Sequence, residues 1–148
     1  MQPSRGFACV ALVAIVALSG CIPAPQMLVV TRPELAAGAR VRALARYDGV
    51  SPDVREATVR AVRDAGFTVI TGDDARQAEH ALTLRAHCAR DWLRRLRCDD
   101  YAVRIVDRAT TEILASATLN PLARRAARLV EIRDSLQAGL ARRAGAER

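Results

Sequence analysis

Four cysteines are the side chains of this sequence best suited to covalent chemistry, and their positions divide them into two kinds. Cys9 and Cys21 lie in or just after an apolar stretch near the amino terminus, whereas Cys88 and Cys98 lie far along the chain with nine residues between them. A thiol can be modified with lipid, form a disulfide or bind a metal ion. The surrounding sequence indicates which of these reactions applies to each cysteine.

The segment before Cys21 has the layout of a secretion signal. Arg5 supplies a basic start, residues 7–18 form an unbroken apolar run, and small residues follow. The run is shorter than the ~20 apolar residues that a transmembrane helix needs. Residues 18–21 read L-S-G-C, which resembles the lipobox of bacterial lipoproteins. The resemblance implies cleavage before Cys21 and lipid attachment to its sulfur; the alternatives are an ordinary secretory peptide or an uncleaved anchor.

Export would leave Cys88 and Cys98 as a pair in an oxidising compartment, where such pairs usually form disulfides. A bridge across a loop of this size contributes about 2 to 3 kcal/mol in the chain-entropy model. The alternating apolar residues of the two flanking strands predict a pairing register. This register differs by one residue from the one that places Cys88 opposite Cys98. The bridge therefore requires a one-residue bulge at Asp99 or Asp100, or a place beyond the regular ladder.

The alternative for these cysteines is a metal site that also uses His87. Three clustered ligands with no fourth candidate make a poor zinc motif. We therefore predict the disulfide, and we predict neither a bound metal ion nor a cofactor.

The loop between these two cysteines has the composition of an interface. It contains Trp92, the only tryptophan of the chain, together with the four arginines Arg90, Arg94, Arg95 and Arg97. Tryptophan with arginine suits a lipid headgroup region or a binding hot spot. We single out Trp92, Arg94 and Arg95 as an interface loop. The alternative is a surface loop in which Trp92 and Leu93 fold back to cap the core.

Positive charge also marks one face of the predicted sheet. The chain has 23 basic and 16 acidic residues, a net charge of +7 that becomes +6 without Arg5, and all of the basic residues are arginine. Strand alternation predicts an anion-binding face formed by Arg40, Arg42, Arg46, Arg85 and Arg104, with His87 on the same side. A face that only keeps the protein soluble is the alternative. The absence of lysine suggests biased coding, which weakens arginine as a functional signal.

Catalysis finds little support in the sequence. His80 and His87 are separated by an odd number of residues on one predicted strand, so they point to opposite faces and cannot share a site. No phosphate loop, nucleophile elbow, metalloprotease helix or redox C-x-x-C motif is present. We therefore expect a protein that is not an enzyme and has no catalytic residues.

The elements that must position these residues form one α+β domain. We predict a signal peptide over residues 1–20, a lipidated tether over 21–39, and a small periplasmic domain over 40–148. The element order β-α-β-β-β-β-α predicts a single, mostly antiparallel sheet of four to five strands with both helices packed on one face. Ser51 and Pro52 begin the first helix, and Asn120 and Pro121 begin the second. Residues 27–30 form either an extra edge strand or a segment packed on the core.

The domain loosely resembles the accessory lipoprotein of the translocon that assembles lipopolysaccharide in the outer membrane. The resemblance is carried by S-P-D-V-R-E-A-T-V-R-A-V-R-D-A-G-F-T-V-I over residues 51–70, two following strands and a closing helix. It implies contact with a β-barrel partner and with lipopolysaccharide phosphates. Val106, Asp107 and the run T-T-E-I-L-A-S-A also resemble small periplasmic lipoproteins of the curli-secretion and Tol-system kind, with Thr111 at a turn position that is usually glycine.

These features predict a membrane-anchored lipoprotein on the periplasmic face of the outer membrane. Ile22 follows the lipidated cysteine, where lipoproteins retained in the inner membrane commonly have aspartate. We expect a non-enzymatic binding or assembly factor for an anionic envelope component, either lipopolysaccharide or phospholipid, and we expect no nucleic-acid partner. The alternative is a structural lipoprotein that docks an outer-membrane or envelope protein without a small ligand.

Overall fold

The computed structural model describes residues 27–44, 47–72, 76–120 and 126–144. The predicted signal peptide and Cys21 lie outside these ranges. The described chain has an α+β fold built from seven strands and two helices. The strands are β1 (Met27–Thr31), β2 (Arg40–Arg42), β3 (Thr68–Ile70), β4 (His80–Arg90), β5 (Leu96–Asp107), β6 (Ile113–Leu119) and β7 (Ala127–Arg128), and the helices are α1 (Pro52–Asp64) and α2 (Leu129–Ala144).

All seven strands belong to one mixed sheet with the order β1-β6-β5-β4-β2-β3, and β7 pairs with β5 off this path. The predicted sheet of four to five mostly antiparallel strands is therefore too small and too simple. β2 runs parallel to both β3 and β4, whereas the pairs β1/β6, β4/β5 and β5/β6 are antiparallel. The parallel pair has a physical reason, because α1 is the crossover that connects β2 to β3 and a crossover returns the chain in the same direction.

The apolar segment that the sequence left undecided is the edge strand β1. Met27 pairs with Leu119 and is buried, and α2 packs directly over the strand. Gly139 of α2 comes so close that a Cβ built on it would lie 2.4 Å from the Cγ2 atom of Val29. The sheet therefore already includes Met27–Thr31, which lie inside the 21–39 segment predicted to be the tether.

The β4/β5 hairpin contains the bulge that the cysteine positions require. Ala86 pairs with Tyr101 and His87 with Asp100, but Cys88 pairs with Cys98, which leaves Asp99 as the extra residue. Asp99 is one of the two positions predicted for the bulge. Beyond it the ladder continues through Ala89 and Arg90. β7 still pairs with β5 at Arg97 and Cys98, so only the end of the hairpin extends past the rest of the sheet.

A second register shift lies between β5 and β6, where Ile105 pairs with Ala115 and Val106 with Ile113. Leu114 is the extra residue and is buried, whereas Ile113 is 41% exposed. Simple alternation from Ala115 would place Ile113 in the core, and the bulge instead turns its side chain towards solvent. The turn before β6 places Thr111 in the left-handed region with φ 60°, the conformation for which glycine is usual.

Proline determines the start of α1, whereas a side-chain cap and strand pairing determine the start of α2. α1 starts at Pro52 as predicted, although the Ser51 side chain makes no capping hydrogen bond. α2 begins at Leu129, where the Glu131 carboxylate accepts a hydrogen bond from the backbone N–H of Arg128. The prediction that the helix already includes Ala126 is wrong, because residues 127–128 pair with β5 beyond the end of β6.

Both helices cover one face of the sheet and enclose the core. Tyr101 of β5 is 1% exposed, and its hydroxyl lies 2.6 Å from the Thr58 Oγ1 of α1. Thr58 in turn donates to the carbonyl oxygen of Val54 at 2.7 Å. Tyr101 therefore donates to Thr58, which satisfies a phenol whose pKa is raised by burial. This chain of hydrogen bonds joins the sheet to α1.

Loss of the Thr58 hydroxyl is expected to lower the free energy of unfolding. Thr58→Val leaves the buried Tyr101 donor unpaired, at a cost of about 1 to 3 kcal/mol. Tyr101→Phe costs less, because Thr58 still donates to Val54. The double variant costs less than the two single changes together, since no unpaired donor remains. Urea unfolding of the four proteins measures this coupling; strictly additive values would contradict the hydrogen-bond chain.

Candidate functional site

The turn between β4 and β5, which we call the hairpin tip (residues 91–95), presents an apolar surface to solvent. Trp92 is 87% exposed and Leu93 is 47% exposed. Both side chains point away from the core, so the interpretation that they fold back to cap it is wrong. An exposed tryptophan beside an exposed leucine is a feature of binding surfaces.

The backbone of the hairpin tip is a tight three-residue connection. The N–H of Asp91 donates to the Arg95 oxygen at 2.9 Å, and the N–H of Arg94 donates to the Asp91 oxygen at 2.8 Å. Arg94 has φ 58°, which is the left-handed conformation expected at the third residue of such a loop. Trp92 and Leu93 thus occupy the two central positions of the turn, which orients them outward.

Asp91 organises the hairpin tip, a role that the sequence analysis missed. One carboxylate oxygen accepts hydrogen bonds from the backbone N–H groups of Leu93 and Arg95, both at 2.9 Å. The other accepts from the Nε atoms of Arg95 at 3.1 Å and Arg97 at 3.0 Å. Burial alone would raise the pKa of Asp91, but these hydrogen bonds outweigh it and lower the pKa to about 2. Aspartate at the first position of the turn was the available sequence signal.

The predicted disulfide joins the two strands at the base of this extension. The Sγ atoms of Cys88 and Cys98 are 2.08 Å apart, and Cys98 is fully buried. Only two residue pairs, Ala89 with Arg97 and Arg90 with Leu96, lie between the bridge and the hairpin tip. The tip is therefore held at a fixed position relative to the core.

The arginines around the hairpin tip divide into bracing and free side chains. Arg90 donates to Asp53 at the start of α1 at 2.7 Å and to the Arg94 oxygen at 3.0 Å. Arg97 also donates to the Ala126 oxygen at 3.3 Å. Arg94 forms no ion pair with any residue that the structure describes. Residues 90–97 contain four arginines and one aspartate, a net charge of +3.

The predicted anion-binding face of the sheet is more neutral than expected. Because of the bulge, Asp99 and Asp100 both lie on that face, where His87 contacts Asp99 at 2.7 Å and Arg85 contacts Asp100 at 3.0 Å. A hydrogen bond from His87 is the main cause that lowers the pKa of Asp99. Two carboxylates therefore lie on the face that strand alternation predicts to bind anions.

The other arginines predicted for this face differ in their surroundings. Arg40 contacts Gln77 at 3.3 Å, Arg42 is half-buried, and Arg46 lies outside the described residues. Arg104 is exposed and, among the described residues, has no ion pair; it lines a shallow depression of about 150 Å³ with Arg85. Only the neighbours Arg85 and Arg104 thus form a compact pair on the sheet face.

A second depression of about 230 Å³ lies beside the hairpin tip, lined by His87, Arg90 and Arg97 together with Asp91 and Asp99. Each of its basic side chains already contacts a carboxylate. The depression therefore presents a balanced charge and offers no unpaired cation to an anion.

The two histidines lie on opposite sides of β4 and do not share a site. His80 is 8% exposed, and its Nδ1 lies 3.8 Å from an Asp107 oxygen without a hydrogen-bond partner. His87 is exposed. Within the described ranges, no group of three or more His, Cys, Asp or Glu residues could hold a metal ion. In the same ranges, no helix has the length and apolar character needed to cross a bilayer.

Comparison with known proteins identifies a related fold without a family. No family model and no curated protein matches the chain. Two solved structures of PelC from Paraburkholderia phytofirmans, both dodecamers, are similar in fold. A variant of that protein has a TM-score of 0.55 at 15% identity over 79% of this chain and 99% of that chain. A second structure has a TM-score of 0.51 at 13% identity over 79% of this chain and 92% of that chain.

The carboxylate of Asp91 is expected to titrate well below ordinary aspartates. Its pKa in the folded protein lies below the usual 3.8, so the ionised group stabilises the hairpin tip above that pH, and the stabilisation is lost as the pH falls towards about 2. The backbone amide signals of Leu93 and Arg95 should follow this titration in NMR spectra. Asp91→Asn should abolish it. A midpoint near pH 4 would contradict the assigned hydrogen bonds.

Proposed function

We propose that this protein is a lipid-anchored, non-enzymatic envelope protein that binds an anionic envelope component through its hairpin tip. The ligand group is a phosphate of a phospholipid or of lipopolysaccharide. The proposed location is the periplasmic face of the outer membrane. The hairpin tip is thus assigned the role that the sequence analysis had given mainly to the sheet face.

The location rests on the amino-terminal sequence and is supported by the cysteine pair. The apolar run, the L-S-G-C segment and Ile22 agree with an acylated Cys21. A disulfide between Cys88 and Cys98 is of the kind that persists outside the cytoplasm. The excess of arginine favours attraction to anionic headgroups.

The observation that carries the proposal is the exposure of Trp92 on a braced support. Tryptophan combines a large apolar surface with an N–H donor, which suits the boundary between headgroups and hydrocarbon. The disulfide, Asp91 and the Arg90 contact with Asp53 already fix the hairpin tip. Binding therefore requires little further ordering, which favours affinity.

Charge distribution favours the hairpin tip over the part of the sheet face formed by Arg85 and His87. On the sheet face, Arg85 and His87 contact carboxylates that would compete with an anionic ligand. At the tip, Arg94 has no such competitor among the described residues. An arginine near an anionic surface contributes about 1 kcal/mol to binding.

Arg94→Gly is therefore expected to weaken binding to anionic vesicles about fivefold at low salt, as about 1 kcal/mol implies. Glycine also suits the left-handed backbone of position 94, so the fold is retained. The measurement is co-flotation of the mature chain carrying Cys21→Ser, which removes the acyl anchor, with phosphatidylglycerol vesicles. The same measurement with vesicles that contain lipopolysaccharide tests the second proposed source of the phosphate.

Arg104→Ala is the matched control, since it removes one exposed, unpaired charge from the sheet face. It should bind like the parent chain. If Arg104→Ala weakens binding and Arg94→Gly does not, the sheet face is the binding surface. Equal binding by both variants and the parent to neutral and anionic vesicles would refute anion binding altogether.

A second candidate function is docking of a protein through β1, and a specific observation favours a second copy of this chain. β1 is an edge strand without a charged residue, and its Leu28 and Val30 are 52% and 68% exposed. Such a strand is a template for pairing with another chain. The solved proteins of similar fold are dodecamers, which supports self-assembly as the form this docking takes.

Val30→Glu is expected to shift the purified protein from an oligomer to a monomer in native mass spectrometry and sedimentation. A charge on the pairing strand opposes association because it must be desolvated at the interface. Val130→Glu is the matched control, because Val130 is 44% exposed at the start of α2. A parent chain that is monomeric at all concentrations would exclude self-assembly.

A further inference from the structure

The register of the sheet reveals at which end the chain enters it. Met27 pairs with Leu119, the neighbouring Thr118 pairs with Ala102, and Tyr101 pairs with Ala86. Met27 and Ala86 therefore lie in the same row across the sheet. Ala86 belongs to the half of β4 that leads to the hairpin tip.

The strand directions show the side from which the chain arrives. β1 and β5 are both antiparallel to β6, and β4 is antiparallel to β5, so β1 and β4 run in opposite directions. β4 runs towards the hairpin tip, and β1 consequently runs away from it. The first residue of β1, Met27, thus lies at the end of the sheet where the hairpin tip projects.

The segment between Cys21 and Met27 is long enough to span the distance from the row of Met27 to the hairpin tip. Asp91 is five residues beyond Ala86, which places the hairpin tip about 16 Å beyond the row of Met27 at the rise of a β-strand. Cys21 is six residues before Met27, and six residues span at most about 20 Å. A lipid on Cys21 can therefore reach the plane of the hairpin tip and can extend little beyond it.

We infer that the hairpin tip contacts the same phospholipid leaflet that holds the amino-terminal lipid, with Trp92 at the headgroup boundary and the long strands β4 and β5 steeply inclined to the membrane. This inference rests on the proposed function and adds the orientation and the partner surface. The domain then stands on two points, the acyl anchor and the hairpin tip.

The chemistry of the hairpin tip suits an anionic phospholipid surface as this second point. Trp92 and Leu93 supply apolar area, and the net charge of +3 over residues 90–97 faces the phosphates. The acyl anchor keeps the tip close to the bilayer. The tip therefore meets a high effective concentration of lipid, which stabilises a contact that would be weak on its own.

Trp92 is the only tryptophan of the chain, so its fluorescence reports on the hairpin tip alone. The acylated full-length mature protein is reconstituted into vesicles of phosphatidylcholine and phosphatidylglycerol, with brominated acyl chains as quencher in the same vesicles. We expect the emission to be at least about twofold weaker than in the same vesicles without bromine, because interfacial tryptophan lies within reach of the acyl chains. We also expect it to lie at shorter wavelength than the emission of tryptophan in water. Separately added brominated vesicles should have no effect.

Other outcomes overturn the inference and distinguish it from the proposed function. Quenching only by the added vesicles would show that the tip points away from its own membrane, while anion binding by the tip stands. Absence of quenching in both arrangements refutes membrane contact by Trp92. In that case, Arg94-dependent flotation of the unacylated chain decides whether the tip still binds an anionic ligand.

A relocated tryptophan provides the control for orientation. Trp92→Phe combined with Ile113→Trp moves the fluorophore to the opposite end of the sheet, where Ile113 is 41% exposed. Brominated lipid in the same vesicles should not quench this protein. Equal quenching at both positions would show that the domain has no fixed orientation and would overturn the inference.

Discussion

One extra residue in the β4/β5 hairpin is the constraint on which the candidate site depends. Leu82, Leu84 and Ala86 must face the core with their partners on β5, while Cys88 must lie opposite Cys98. A side-chain period of two makes these requirements incompatible without a bulge. Asp99 satisfies them by adding one residue, which orients the cysteine pair and brings Asp99 and Asp100 to the opposite face together.

The same bulge separates two electrostatic environments. Below it, the carboxylates that it brings to the sheet face hold Arg85 and His87 in ion pairs. Above it, the Asp91 carboxylate is enclosed by backbone N–H groups and arginines, and Asp53 of α1 contacts Arg90. Neither carboxylate forms an ion pair with Arg94. Ion pairs thus neutralise Arg85 and His87 on the sheet face, where Arg104 has no ion pair with a described residue, and the end of the hairpin keeps an excess of positive charge.

Local patterns in the sequence predicted the elements whose partners are close in the chain. The alternation of β4 and β5, the start of α1 at Pro52, the disulfide and its bulge all follow from spacing within one or two hairpins. Non-local pairing escaped prediction. β1 needs β6 as a partner, β2 needs the crossover through α1, and residues 127–128 pair with β5 although Asn120 and Pro121 favour a helix start. Tertiary contacts decide whether such a segment pairs as a strand or starts a helix, and they produce no periodic pattern of apolar residues in the sequence.

The candidate site was predictable in composition and unpredictable in geometry. Trp92 with its arginines marked the loop, but whether the ring is buried depended on a turn type that Asp91 determines by hydrogen bonds over four residues. In this turn the fold gains nothing from tryptophan, because a three-residue connection with a left-handed third residue accepts most side chains at its centre. The core is complete without Trp92, whose large apolar surface remains in water. A residue that costs solubility and adds no packing favours contact with a surface outside the domain, which is why we propose the hairpin tip, and not the charged sheet face, as the binding site.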